Sequence, residues 1–135
     1  MPPFVHRLRV RYHECDQQGV VFNAHYFTYF DVAMTELWRT LFGGYDAMVR
    51  SGTDVHVVDA AASFHAPARF DDEIELRLEL AKLGTTSFTT AFEVRRDDAR
   101  LVSGRMVHVC VDTERHEKRP IPPAMRERLG ALLPR

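Results

Sequence analysis

At 135 residues, 45% hydrophobic and 27% charged, the chain has the balance of an ordinary globular protein and the length for one core, which argues against disorder or a fibrous architecture and predicts one domain over 1–135. The 18 basic residues oppose 19 acidic ones, so a net charge of -1 supplies no global field for nucleic acid or an anionic membrane. No apolar run approaches the roughly 20 residues of a membrane span, and the first residues lack the apolar core of a signal peptide. Cys15 and Cys110 fit no disulfide framework, so reduced thiols and a cytoplasmic location are expected.

Phe4, His6, Leu8, Val10 and Tyr12 alternate with Val5, Arg7, Arg9 and Arg11, a period of two that predicts a half-buried strand ending near Glu14. Asp16-Gln17-Gln18-Gly19 then favours a turn, followed by Val20, Val21 and Phe22. From Ala24 to Phe42 the period changes. Tyr26, Phe30, Ala33, Leu37 and Leu41 recur at spacings of three and four, with Phe27, Met34 and Trp38 widening the stripe, which predicts a long buried helix with Asn23 as N-cap and Gly43-Gly44 as its stop.

A linker is expected around Tyr45 to Asp54, then a strand over Val55 to His65. Ile74, Leu76, Leu78 and Leu80 against Glu75, Arg77 and Glu79 make the clearest strand of all, and Gly84 marks its turn. Phe88 to Val94 continues the alternation, Asp97-Asp98 supplies a hairpin turn, and Leu101 to Val111 forms another strand. Beyond Pro120, Pro122 and Pro123, the residues Met125, Leu129 and Leu132 suggest a short helix. Strand, long helix, then four strands places the fold in the α+β class, an antiparallel sheet of about five strands wrapped around one long central helix.

The strongest chemical signal is Asp16, a few residues before a buried helix. Free N–H groups of a first helical turn favour an anion or a developing oxyanion. A thioester carbonyl polarised by N–H groups near Asn23 and Ala24, with Asp16 attacking it or activating water, is coherent acyl-transfer chemistry. On residue chemistry alone, an Asp in such a loop is far more often a turn or capping residue.

The segment Tyr12-His13-Glu14-Cys15-Asp16-Gln17-Gln18-Gly19-Val20-Val21-Phe22-Asn23-Ala24-His25-Tyr26 closely resembles the signature of the 4-hydroxybenzoyl-CoA thioesterase-like family of hot-dog proteins. Asp16, Gly19, the pair Val20-Val21 and Tyr26 satisfy its pattern, Phe30 to Glu36 is similar to the family's helix, and Leu83 to Phe88 is similar to its inter-strand turn. The resemblance implies a hot-dog fold and an enzyme that hydrolyses an acyl-CoA or aryl-CoA to a carboxylic acid and free CoA. It makes Asp16 the nucleophile or general base and the backbone N–H at Asn23 the group that polarises the carbonyl. It implies no cofactor, CoA arriving only as part of the substrate, and self-association as a homotetramer or homodimer with sites at the dimer interface.

One departure concerns position 23, where several relatives acting on acyl-CoA carry a His and this chain carries Asn23. His25 lies two positions on, about 200° around a helix, and with Gly19 and Tyr26 it is a supporting candidate rather than a replacement. Cys15 beside Asp16 would need a base to act as a nucleophile. His13, Cys15, Asp16 and His25 match no zinc spacing, so no metal is expected. Asp31 and Glu36 read as helix-surface carboxylates, and Arg95, Arg96, Arg115, Lys118 and Arg119 as the densest basic groups for CoA phosphates. The alternatives are a thioesterase acting on an acyl-carrier protein, a hot-dog hydratase or dehydratase, and a non-catalytic acyl-binding protein.

Overall fold

A computed structural model describes residues 3–134. Five strands form one antiparallel sheet: β1 (Phe4–Arg9), β2 (Thr53–Phe64), β3 (Glu73–Leu83), β4 (Ser87–Arg96) and β5 (Ala99–Asp112), in the order β1-β3-β4-β5-β2. Three helices accompany them: α1 (His25–Phe42), α2 (Tyr45–Arg50) and α3 (Pro123–Gly130). The expected α+β sheet with one long helix is the observed architecture. No helix among the described residues is long and apolar enough to cross a membrane.

Alternation decides which face of the sheet is covered. Ile74, Leu76, Leu78 and Leu80 of β3 are buried, as are Phe88, Thr90, Phe92 and Val94 of β4, and all point toward the helix side. The other face carries Glu75, Arg77 and Glu93, with Arg7 and Arg77 both paired to Glu75. These exposed pairs contribute little to stability, and the fold rests on the apolar face.

Helix α1 answers that face with Tyr26, Tyr29, Phe30, Ala33, Met34, Leu37 and Trp38, one stripe at spacings of three and four. Phe30 stacks on Phe92 at 4.5 Å between ring centroids, and Trp38 meets Phe88 edge-on at 6.1 Å. The contact leaves no room beneath Phe30: a Cβ on Gly104 of β5 would lie 2.8 Å from the Ala61 carbonyl oxygen and 2.9 Å from Phe30 Cε2. Gly104 lets the Phe30 ring of the helix lie directly against the strand backbone for want of a side chain. At the helix end Gly43 adopts φ 82° and its N–H reaches the Arg39 carbonyl at 3.0 Å, as the Gly-Gly stop predicted.

Several boundaries differ from expectation. β1 stops at Arg9, not near Glu14, because its partner β3 begins opposite at Glu73; Tyr12–Glu14 instead form a 3-10 turn. Helix α1 starts at His25, with Ala24 rather than Asn23 in the N-cap position and no side-chain cap. The stretch read as a linker contains α2, six residues anchored by buried Met48, too short for its period to stand out. β2 begins two residues earlier than expected, at Thr53.

Because the Gly104 gap is filled by Phe30 and by backbone, Gly104→Ala should destabilise the fold by about 1–3 kcal/mol, the usual cost of overpacking. Gly130→Ala in α3, where the nearest atom to a new Cβ is 4.0 Å away, should be neutral or stabilising by up to about 1 kcal/mol. Urea denaturation of both variants checks this, and equal midpoints would contradict the packing described.

Candidate active site

The loop between β1 and α1 is built by its own hydrogen bonds. Asp16 N–H donates to the Val20 carbonyl at 2.8 Å, Gly19 N–H donates to the Asp16 carbonyl at 2.9 Å, and Gln18 N–H donates to Asp16 Oδ1 at 2.8 Å. Gly19 sits at φ 77°, a conformation that favours glycine, so the pattern Asp-x-x-Gly closes a tight loop. Cys15 and Val21 form an antiparallel bridge at its base, and Val21 N–H is tied to the Ala68 carbonyl at 2.9 Å. The Asp16 carboxylate therefore does have the structural role of a turn residue, through Oδ1. Oδ2 has no protein partner among the described residues.

The chain then turns into α1. His25 N–H donates to Phe22 O, Tyr26 N–H to Asn23 O and Phe27 N–H to Ala24 O. That sequence of bonds uses the carbonyls of Asn23 and Ala24 but not their N–H groups, neither of which has a protein acceptor among the described residues. Two adjacent donors at the positive end of an 18-residue helix are left to solvent or a ligand.

Asp16, Asn23 and Tyr26 share a cleft of about 410 Å³ with Gln18, Val20 and Val21. Its opposite wall comes from the end of β2 and the chain after it: Phe64, His65, Ala66 and Pro67. Tyr26 is buried, its hydroxyl meets the Ala68 N–H at 3.4 Å, and its ring packs on Phe64 at 5.7 Å. Burial pushes the Tyr26 phenol up, so it stands in the cleft as a neutral wall. His65 is held through Nε2 to Ser103 Oγ at 2.9 Å.

Of the candidate residues, Asp16, Asn23 and Tyr26 thus come together. Gly19 shapes the loop without lining the cleft, and Ala24 lies beside it at the helix N-cap. His25 faces elsewhere: it borders a separate groove with residues of β1 and packs edge-on against Phe22 at 5.9 Å. The wall from Phe64 to Pro67 carried no signal in the sequence, since it begins 48 residues after Asp16 and is brought there by the sheet.

The remaining candidates have other occupations. Burial, and then the charges of Glu14, Asp16 and Asp72, push the Cys15 thiol up, away from the thiolate a nucleophile requires. Glu36 pairs with Arg39 on the helix surface, while Asp31, on the same helix, has its carboxyl pushed up by desolvation. Arg95 pairs with Glu93, Arg96 binds Asp72 at 2.7 Å and the Pro67 carbonyl at 3.2 Å, and Arg119 binds the Gly52 carbonyl at 2.9 Å. Arg96 therefore supports the cleft wall. Among the described residues no group of three or more His, Cys, Asp or Glu gathers in a metal-holding arrangement.

The fold has known counterparts. The model of the family described as "Thioesterase superfamily" matches residues 18–103, beginning two residues after Asp16. The chain is 29% identical over 116 residues to the acyl-CoA thioester hydrolase YbgC of Escherichia coli (strain CFT073), covering 85% of this chain and 87% of that one. A crystal structure of a protein from Aquifex aeolicus superposes with a TM-score of 0.85 at 31% identity, covering 94% of this chain and 99% of the other. The Dynemicin thioesterase, solved in a study of polyene binding, superposes with a TM-score of 0.89 at 26% identity, covering 97% of each. The sheet, its helix and these likenesses agree: the chain belongs to the thioesterase superfamily and has its hot-dog fold.

Proposed function

We propose that the protein hydrolyses acyl-CoA thioesters in the Asp16 cleft, releasing a carboxylic acid and free CoA. The observation that carries this reading is the juxtaposition of a carboxylate oxygen without a protein partner and the unpaired N–H of Asn23 in one cleft. The thioester carbonyl oxygen lies toward the Asn23 and Ala24 N–H groups, which stabilise the negative charge that develops when the carbon is attacked. Asp16 either attacks the carbonyl carbon itself, giving an anhydride that water then opens, or takes a proton from the attacking water. In both cases one water is consumed, the C–S bond breaks and the CoA sulfur leaves with a proton. The protein supplies no cofactor to this chemistry and needs none. The name of the Escherichia coli relative, an acyl-CoA thioester hydrolase, supports CoA over a carrier protein as the group that delivers the acyl chain.

We also infer that β2 pairs with β2 of a second copy. It is an edge strand of 12 residues, with Val57 46% and Val58 59% exposed, and an unpaired apolar edge of this length invites strand addition. Pairing extends the sheet across two protomers, and two such dimers would give the tetramer implied by the family resemblance. A cytoplasmic enzyme, where CoA thioesters are available, fits this reading.

Asp16→Asn keeps an acceptor for the Gln18 N–H, so it should leave the loop and the melting temperature intact while lowering kcat/KM for acyl-CoA by about 10²-fold or more. Thiol release from a panel of acyl-CoA and aryl-CoA thioesters measures it; full activity in this variant would remove Asp16 from the mechanism. Val58→Lys should bring the mass in solution, measured by light scattering, down to the 15.6 kDa protomer and reduce activity with it. A native protein already at the protomer mass would rule out the paired edge.

A further inference from the structure

Two tyrosines lie one turn apart on α1 and meet edge-on at 5.6 Å between ring centroids. Tyr26 turns its hydroxyl to Ala68, behind the far wall of the cleft, and Tyr29 turns its hydroxyl to Glu14, at the root of the loop that carries Asp16. Tyr29 is 1% exposed and donates its O–H to Glu14 Oε1 at 3.0 Å. The same oxygen accepts the Arg11 N–H at 2.7 Å and so closes the turn over Tyr12–Glu14. Burial, and then the Glu14 charge, push the Tyr29 phenol up, so the hydroxyl keeps its proton and remains a donor at ordinary pH.

Glu14 is where the outgoing and returning limbs of the loop meet. Its carbonyl accepts the Phe22 N–H at 3.0 Å; the next pair, Cys15 and Val21, form the bridge, and Asp16 N–H reaches the Val20 carbonyl. These bonds set the shape of the loop but not how it sits against α1. The backbone bonds from His25, Tyr26 and Phe27 hold only the returning limb, Phe22 to Ala24. Among the described residues the Tyr29–Glu14 contact is the one side-chain hydrogen bond from the loop to α1, and it catches the outgoing limb two residues before Asp16.

A tie in that place bears on the chemistry. Asn23 follows Phe22 directly, so a shift of the outgoing limb relative to the helix changes the separation between the acid and the N–H donor. Misplacing reacting groups by about 1 Å costs on the order of 100-fold in rate. A tyrosine that only satisfied its own buried hydroxyl would affect stability and leave the chemical step alone.

We propose that Tyr29 is a positioning residue for the hydrolysis: through Glu14 it fixes the separation between the Asp16 carboxylate and the Asn23 N–H. The inference rests on the thioesterase reading of the cleft.

Steady-state kinetics on the most active acyl-CoA, well below the melting temperature of each variant, test it. Tyr29→Phe removes one oxygen and should lower kcat about tenfold while KM stays within about twofold of native. Glu14→Ala should lose at least as much, and adding Tyr29→Phe to it should cost nothing further, because the tie is already gone. Glu14→Gln keeps an acceptor for both Tyr29 and Arg11 and should recover most of what Glu14→Ala loses. Should Tyr29→Phe fail to fold, the comparison of Glu14→Ala with Glu14→Gln carries the same test. An unchanged kcat in Tyr29→Phe, a loss confined to KM, losses that add in the double variant, or Glu14→Gln as slow as Glu14→Ala would overturn the proposal.

If the native protein hydrolyses no acyl-CoA, the thioesterase reading fails instead, and amide hydrogen exchange reads the tie. The N–H groups of Phe22 and Gln18, bonded to the Glu14 carbonyl and to Asp16 Oδ1, should exchange about tenfold faster in Tyr29→Phe than in the native chain, and equal rates sink it.

Discussion

The approach of α1 to the sheet at Gly104 is the contact on which the other features depend. Phe30 lies over the glycine and against Phe92, so its ring reaches the β5 backbone with no side chain between them. Everything along α1 is positioned from that point. Toward its start, Tyr26 reaches the end of β2 and the loop before the helix is drawn against Ala68 and Arg69; toward its middle, Trp38 and Met34 stand above Phe88 and His108. A side chain at position 104 would move both ends at once.

The loop from Cys15 to Val21 shows how one residue carries two duties without conflict. One carboxylate oxygen of Asp16 accepts from the Gln18 N–H and holds the turn, while the other has no protein partner among the described residues, and the residue lines the cleft. The turn orients the acid, and Gly19, at a positive φ, lets the chain return in time to start the helix. Among the described residues the N–H groups of Asn23 and Ala24 are left unpaired for the reason that first-turn donors commonly are: no residue precedes them in the helix to accept. Such donors are suited to stabilising an anionic intermediate, because they are fixed before charge develops.

The edges of the sheet are treated unequally. β1 is six residues long and carries Arg7 and Arg9, each paired to acidic residues of β3 or its preceding turn, which blunts that side. β2 is twice as long and exposes Val57 and Val58. The longer, more apolar edge of the sheet is thus the one that borders the Asp16 cleft.

Local patterning was enough to predict the α+β class, the four later strands and the long helix. Periods of two and of 3.6 are written in β3, β4 and α1 by burial on a single face, and glycine at 43 marks the end of a helix for steric reasons alone. The Asp-x-x-Gly loop and the unpaired donors that follow it were likewise legible, since both arise within a dozen residues. What faces Asp16 was not: Phe64 to Pro67 reach it only because β2 runs back along α1 after the sheet is assembled. Nor was His108, which reads as one polar residue in an apolar strand until Thr90, Phe88 and Trp38 close around it. α2 was hidden because six residues make too few turns for a period, and the early end of β1 because a strand stops where its partner does, a boundary set by a segment more than 60 residues away.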